Sequence, residues 1–371
     1  MRKVFLIASF IAIFTACSST DDGSKTGGDS FNRSTLLTHW ADNIIIPSYQ
    51  NYSNKVTAFS TAITDFTSNP TIENLVVARG SWVESYEAYQ QVMLFNVGKA
   101  SEIYFKETTN TYPTDVVGIE QNIASGSYNL ELFSQFSKQG FPAFDYLLNG
   151  LANTDAEIVA FYTSNANAAA YKQYLLNLIT VMNTKSNAVL LDWNGSYRAT
   201  FIASNGTAVS SSTNKLTNLF VKNFEKDIRT GKIGIPAGVF SNGTLFPEKV
   251  EGFYMKNISK KLLNAAIQSQ QDFFNGKSFS GTTTGPSLKS YLDDVNAVRN
   301  GQNLSDIINN QFTTIYAVNE TLNANFSEQI TSNNAKMIEA YDALQQNVIY
   351  FKLDMMQALN VTIDYVDGDG D

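Results

Sequence analysis

Between Thr71 and Phe95 one stripe of side chains limits the fold more than any other feature of the chain. Ile72, Leu75, Arg79, Trp82, Tyr86, Tyr89 and Met93 recur at alternating steps of three and four, so all seven face one way on a helix. Six are apolar or aromatic, and the seventh is an arginine set into the seam. Comparable stripes run through Tyr171, Tyr174, Leu175, Leu178, Ile179 and Met182, and through Met337, Tyr341, Leu344, Val348, Phe351, Met355 and Leu359. A further one links Leu304, Ile308, Gln311, Ile315, Leu322 and Phe326. Strand signals are scarce, with Val361 to Tyr365 the best candidate. The pattern predicts an all-α protein.

Breakers divide these helices. Asn69-Pro70 separates Leu36–Phe66 from Thr71–Phe95, and Pro47 is expected to kink the first of them. Gly98 to Gln139 is irregular and too long for a plain connector, so it is expected to pack over something. Asn194-Gly195 and the Ser/Thr/Asn-rich run Ser204 to Asn214 mark the main boundary, while Gly231 to Thr244 and Asn275 to Pro286 read as loops. The arrangement predicts two tandem up-down, four-helix-like bundles, residues 34–203 and 204–360, followed by an acidic tail, 361–371.

The N-terminus reads as an export signal. Arg2 and Lys3 precede an apolar run, Val4 to Phe14, too short to span a bilayer. It ends in Phe14-Thr15-Ala16-Cys17, which is similar to a bacterial lipobox with Phe14 in place of the usual leucine; an ordinary signal peptide is the alternative. Residues 1–16 are thus expected to be cleaved and Cys17, the sole cysteine, to be lipidated. Residues 17–33 then form a flexible tether. Asp21-Asp22 is similar to surface-export signals of some Gram-negative lipoproteins. The expected place is the cell envelope, as an outer-membrane lipoprotein facing the periplasm or the cell surface.

A net charge of -8 argues against nucleic acid as a partner, since a phosphate backbone needs a basic patch. His39 is the single histidine, so a paired-histidine zinc peptidase site and bis-histidine haem ligation are both absent. His39 is expected to be structural or superficial. Gly231-Lys232-Ile233-Gly234 lacks the spacing of a phosphate loop. A metal site would have to use carboxylates, carbonyls, tyrosines or methionines, which favours hard divalent cations. Asp145, Asp367 and Asp369 are the candidate ligands. The Asp364–Asp371 tail lacks the downstream ligand of an EF-hand loop, and a solvated acidic terminus suits it better.

Arg79 needs a partner if it stays in its seam, because an unpaired buried charge costs several kcal/mol. A carboxylate from another helix or an anionic ligand group would serve; snorkelling to the surface is the alternative.

Gly140-Phe141-Pro142-Ala143-Phe144-Asp145, followed by Tyr146-Leu147-Leu148, resembles the imelysin-like family. Its better-known pattern is G-x-H-x-x-E, and one lipoprotein branch carries G-L-P-A-L-E with Y-L-L. Ser81-Trp82, Tyr89 to Phe95, Lys232 to Gly238 and the Pro247–Gly276 helix are similar to other parts of the family, as is the Asp-Gly-Asp ending. The resemblance implies exported, often lipid-anchored helical proteins associated with bacterial iron uptake, once classed as peptidases. Tyr86 and Met93 stand where the better-known branch has an arginine and a glutamate, and with Pro142 and Asp145 the implied metal-ligand set is mostly gone. Physically, residues 139–150 make a short helix with Pro142 in the first turn, Asp145 near the positive end of the dipole and Gly150 as cap.

The resulting expectation is a non-catalytic binding protein linked to iron or haem uptake, for which the resemblance implies iron or another hard divalent cation as the candidate cofactor. Its ligand site would lie between the bundles and use Arg79, Trp82, Tyr89, Gly140, Pro142, Asp145 and Glu251. The alternatives are a metal-dependent peptidase, for which no nucleophile–base pair is evident, and a scaffold for an outer-membrane complex. A monomer is expected, joined to the membrane by its lipid and to an iron-uptake or outer-membrane partner protein.

Overall fold

Pro47 shows how sequence shapes the first rod. It has no N–H to return to the carbonyl four residues back, and a π-helical turn, Trp40–Ile45, absorbs it between α1 (Arg33–His39) and α2 (Ile46–Ser68). The freed Asn43 carbonyl accepts the Phe279 N–H at 2.8 Å, so the expected kink is a π turn tied to a distant loop. After Asn69-Pro70, the Thr71 hydroxyl accepts the Asn74 N–H at 3.2 Å and starts α3 (Ile72–Gln90). The structure is a computed structural model that describes residues 30–279 and 281–365. The expected signal segment, Cys17, most of the expected tether, Asp367 and Asp369 lie outside the described residues.

The chain is all-α. In the first half α2 packs between α3 and the long α6 (Ala168–Asp192), with α4 (Val116–Ser125) and α5 (Gly140–Asp145) set against them. In the second half, α7 (Ser212–Lys222) runs into a π-helical stretch, Asn223–Gly234, which packs with α8 (Ser259–Phe274) and α10 (Ala335–Ile349), and α10 packs on α9 (Leu304–Glu320). Residues 204–211 connect the two sets, and the Ser211 side chain caps α7. The sets share a continuous apolar core. α3 meets α8, and Phe273 of α8 lies 4.8 Å from Trp40 and 5.6 Å from Phe95 between ring centroids. Among the described residues no helix is long and apolar enough to cross a membrane.

Three local expectations change. Val361–Tyr365 is no strand: the Asn218 side chain of α7 donates to the Thr362 carbonyl at 2.8 Å and accepts the Asp364 N–H at 3.0 Å, holding the segment by side-chain clamps. The two-residue strands of the described chain are Val298–Arg299 and Gln302–Asn303, paired in a small hairpin. Gly231–Gly234 is not loop but continues the π-helical stretch, because Lys232 and Ile233 are buried there and packing overrides glycine propensity. Finally, Pro247–Lys249 forms only a single tight turn; Gly252, at φ +72°, separates it from α8, which begins at Ser259.

Candidate functional site

The stripe is buried from Leu75 to Met93 apart from Arg79, with Met93 in the turn just past the end of α3. Arg79 donates through Nε to the Leu148 carbonyl at 2.9 Å and through a terminal nitrogen to Asp155 Oδ1 at 2.7 Å. The carboxylate from another helix is therefore Asp155. Trp82 Nε1 donates to the Phe141 carbonyl at 3.1 Å. Tyr86 stacks on the Phe141 ring, 4.3 Å between centroids with 8° between planes, and its hydroxyl donates to Asn110 Oδ1. One turn further, the Tyr89 ring is fully buried and its hydroxyl has no hydrogen-bond partner.

The Gly140-Phe141-Pro142-Ala143-Phe144-Asp145 motif is fixed by its glycine. Gly140 takes φ +75°, and a Cβ there would stand 2.2 Å from the Thr109 carbonyl oxygen. Only glycine lets the strap before Asn110 lie this close. Five residues on, Asp145 is buried, and its carboxylate accepts the N–H groups of Tyr254 at 2.9 Å and Met255 at 2.8 Å, with Asn149 Nδ2 at 3.1 Å. It thus ties α5 to the turn before α8 rather than serving the dipole of its own helix. Burial pushes the Asp145 carboxyl up to about 7, and the three donors pull the other way.

Glu251 lies at the centre of a second buried knot. It forms an ion pair with Lys232 and accepts from Asn110 Nδ2 at 2.7 Å and from Gln90 Nε2 at 3.4 Å. Lys232 also donates to Gln90 Oε1 at 2.9 Å. Burial above all, then the charge of Glu251, holds the Tyr86 hydroxyl well above the usual phenol range, so it remains a donor.

Beside this knot opens a cavity of about 550 Å³ lined by Tyr89, Met93, Asn110, Tyr112, Ile235 and the charged groups Lys106, Lys226, Asp227 and Lys249, among others. Pro142 and Asp145 line a smaller hollow of about 150 Å³ with Glu248 and Tyr254. Tyr112 and Pro113 border both. The fold therefore brings Tyr89, Pro142, Asp145 and Glu251 into one neighbourhood at the meeting of the two helix sets. Trp82 braces it from behind. Arg79 lines neither space and is committed to Leu148 and Asp155.

The lysines, Asp227, Asn110 and Tyr112 are functional candidates that periodicity does not find. Lys106, Asn110 and Tyr112 belong to the irregular Gly98–Gln139 segment, which does pack over the helices and carries the short helix Phe105–Thr109. The available signal is that segment's length.

The family model described as Imelysin matches residues 45–349. The chain belongs to the imelysin family. Iron-regulated protein A of Synechococcus elongatus is 20% identical to it over 334 residues, covering 86% of this chain and 83% of that one. Two crystal structures share the fold. An imelysin-like protein from Psychrobacter arcticum superposes with a TM-score of 0.71 at 16% identity, covering 91% of this chain and all (100%) of the other. A putative iron-regulated protein A precursor from Parabacteroides distasonis gives 0.73 at 17%, covering 90% and 97%.

In this imelysin-family chain the donor set at the motif does not fit a metal centre. Pro142 offers no side-chain donor, and both Asp145 oxygens already accept N–H groups. Among the described residues no three histidine, cysteine, aspartate or glutamate side chains group together to hold an ion.

Proposed function

We propose that the protein is an exported, lipid-anchored binding protein of the cell envelope with an iron-related role, and that it acts without catalysis. The observation that carries this reading is the 550 Å³ cavity beside the motif, a volume within the range of about 300–1,000 Å³ usual for small-molecule sites. The groups around it that could act as acid or base are tied into packing: Asp145 to backbone N–H groups, Glu251 to Lys232, Asp227 to Lys106. The likeness to iron-regulated protein A supports the link to iron supply. The lipobox-like Phe14–Cys17 segment supports the anchor.

The test is growth of a deletion strain across a range of free iron. Impaired growth confined to low iron is expected, and equal growth at every level would count against the reading. Incubating the purified protein with denatured substrates, with and without a chelator, tests the non-catalytic part. Chelator-sensitive cleavage would replace it with the peptidase alternative.

A further inference from the structure

We infer that the larger cavity takes an organic anion, a carboxylate- or phosphate-bearing molecule with an apolar body, whose charged group meets Lys249, Lys226 and the Tyr89 hydroxyl. The inference rests on the reading of that cavity as the binding site and adds the chemistry of its ligand.

The first ground is charge. The chain is acidic overall, yet this wall carries three lysines, Lys106, Lys226 and Lys249, against the single carboxylate of Asp227. Asp227 is itself neutralised, because Lys106 Nζ donates to its two oxygens at 2.6 and 2.7 Å and Asn223 Nδ2 donates at 2.8 Å. Behind the wall Lys226 lies 3.3 Å from Glu225, a carboxylate that also meets Lys352 at 3.3 Å and accepts the Tyr365 hydroxyl at 2.8 Å. Lys249 is held over the Phe246 ring, 3.7 Å from its centroid, a contact that orients an ammonium without cancelling its charge. With lysines outnumbering carboxylates on this wall, an anion suits it better than a cation.

The second ground is an unmet donor. A fully buried hydroxyl without a partner costs stability, and proteins keep such groups chiefly where something else completes them. Tyr89 is fully buried, lines the cavity, and leaves its hydroxyl unpaired. Burial first, then Asp227, pushes its ionisation far above the phenol range, so it keeps its proton and can donate it to an anionic acceptor. Met93, Pro113 and Ile235 with the Tyr112 ring form the apolar part of the lining and supply a surface for the ligand body.

The experiment uses the full chain and two fluorescent probes that differ by one charged group: anilinonaphthalene sulfonate and its sulfonate-free analogue, phenylnaphthylamine. The sulfonate is expected to bind at least about tenfold more tightly, as a charge-assisted contact would give. Lys249→Glu should abolish that preference, and Tyr89→Phe should weaken the sulfonate about three- to tenfold while leaving the neutral probe alone. Ile235→Trp, which places an indole in the cavity, should exclude both. Equal binding of the two probes, or a preference untouched by Lys249→Glu and Tyr89→Phe, would overturn the anion while leaving the cavity as a site for neutral ligands. Unchanged binding of both probes to Ile235→Trp would remove the cavity reading as well.

Discussion

Asp145 and Tyr254 stand 109 residues apart, and a carboxylate oxygen of the first accepts the backbone N–H of the second at 2.9 Å. With the Met255 N–H on the other oxygen, one short side chain staples the motif helix to the turn that leads into α8. The family motif in this chain is therefore a joint between the two helix sets. Asp145→Ala would leave two half-buried N–H groups without partners, at up to about 1–3 kcal/mol each. A loss of about 2–4 kcal/mol in urea unfolding is expected. Unchanged stability would show that the staple is dispensable.

The same residue gives a pH signature. Its carboxyl is raised from 3.8 to about 7 in the folded chain, so between those values the native state holds a proton that the unfolded state has lost. The corresponding stability is fully present below the unfolded value and is lost as pH rises towards 7. A separation of that size corresponds to a drop of at most about 4 kcal/mol over the window. Asp145→Asn cannot titrate and should unfold with a flatter profile between about pH 4 and 7. Parallel profiles for the two proteins would show that Asp145 stays ionised on folding.

Arg79 is expected to matter less. Its side chain is 15% exposed and that of Asp155 40%, so solvent screens much of their attraction. Losing the pair and the donation to the Leu148 carbonyl should cost Arg79→Met about 1–2 kcal/mol. Asp155→Asn, which keeps an acceptor, should cost under about 1 kcal/mol. If Arg79→Met weakened probe binding in the cavity as strongly as Lys249→Glu, Arg79 would belong to the site after all.

How much of this is legible in the sequence depends on the kind of order involved. The α3 stripe is readable because a regular helix repeats its buried face, and so is the need of Arg79 for some anionic or polar partner, though the choice of Asp155 over a ligand group is not. Gly140, Pro142 and Asp145 stand out as a motif, but their work does not. The partners of Asp145 are backbone groups, which have no sequence signature, and the Gly140 constraint comes from the Thr109 carbonyl across space. Lys106, Asn110 and Tyr112 lie on an irregular strap without periodicity, and Lys226 and Lys232 sit in a stretch where 3.6-residue spacing fails because the helix is π-wound. Lys232 reads as loop from sequence, since two glycines flank its neighbourhood and only the buried Glu251 reveals why it is helical.

That buried pair supports the last expectation. Lys232 and Glu251 are each 2% exposed at the side chain, and Gln90 and Asn110 supply the remaining hydrogen bonds. Removing one partner strands a charge in a medium of low polarity, so Lys232→Met or Glu251→Leu alone should cost about 3–5 kcal/mol. Removing both leaves only neutral Gln90 and Asn110 in need of partners, and the double variant should be more stable than either single one. A thermodynamic cycle from four urea curves measures the coupling. Because Asn110 both contacts Glu251 and lines the cavity, the single variants should also alter probe binding there, whereas the double variant should restore part of it. Additive losses with no recovery would mean that the two residues act separately, and that Asn110 keeps its place in the cavity wall without their charges.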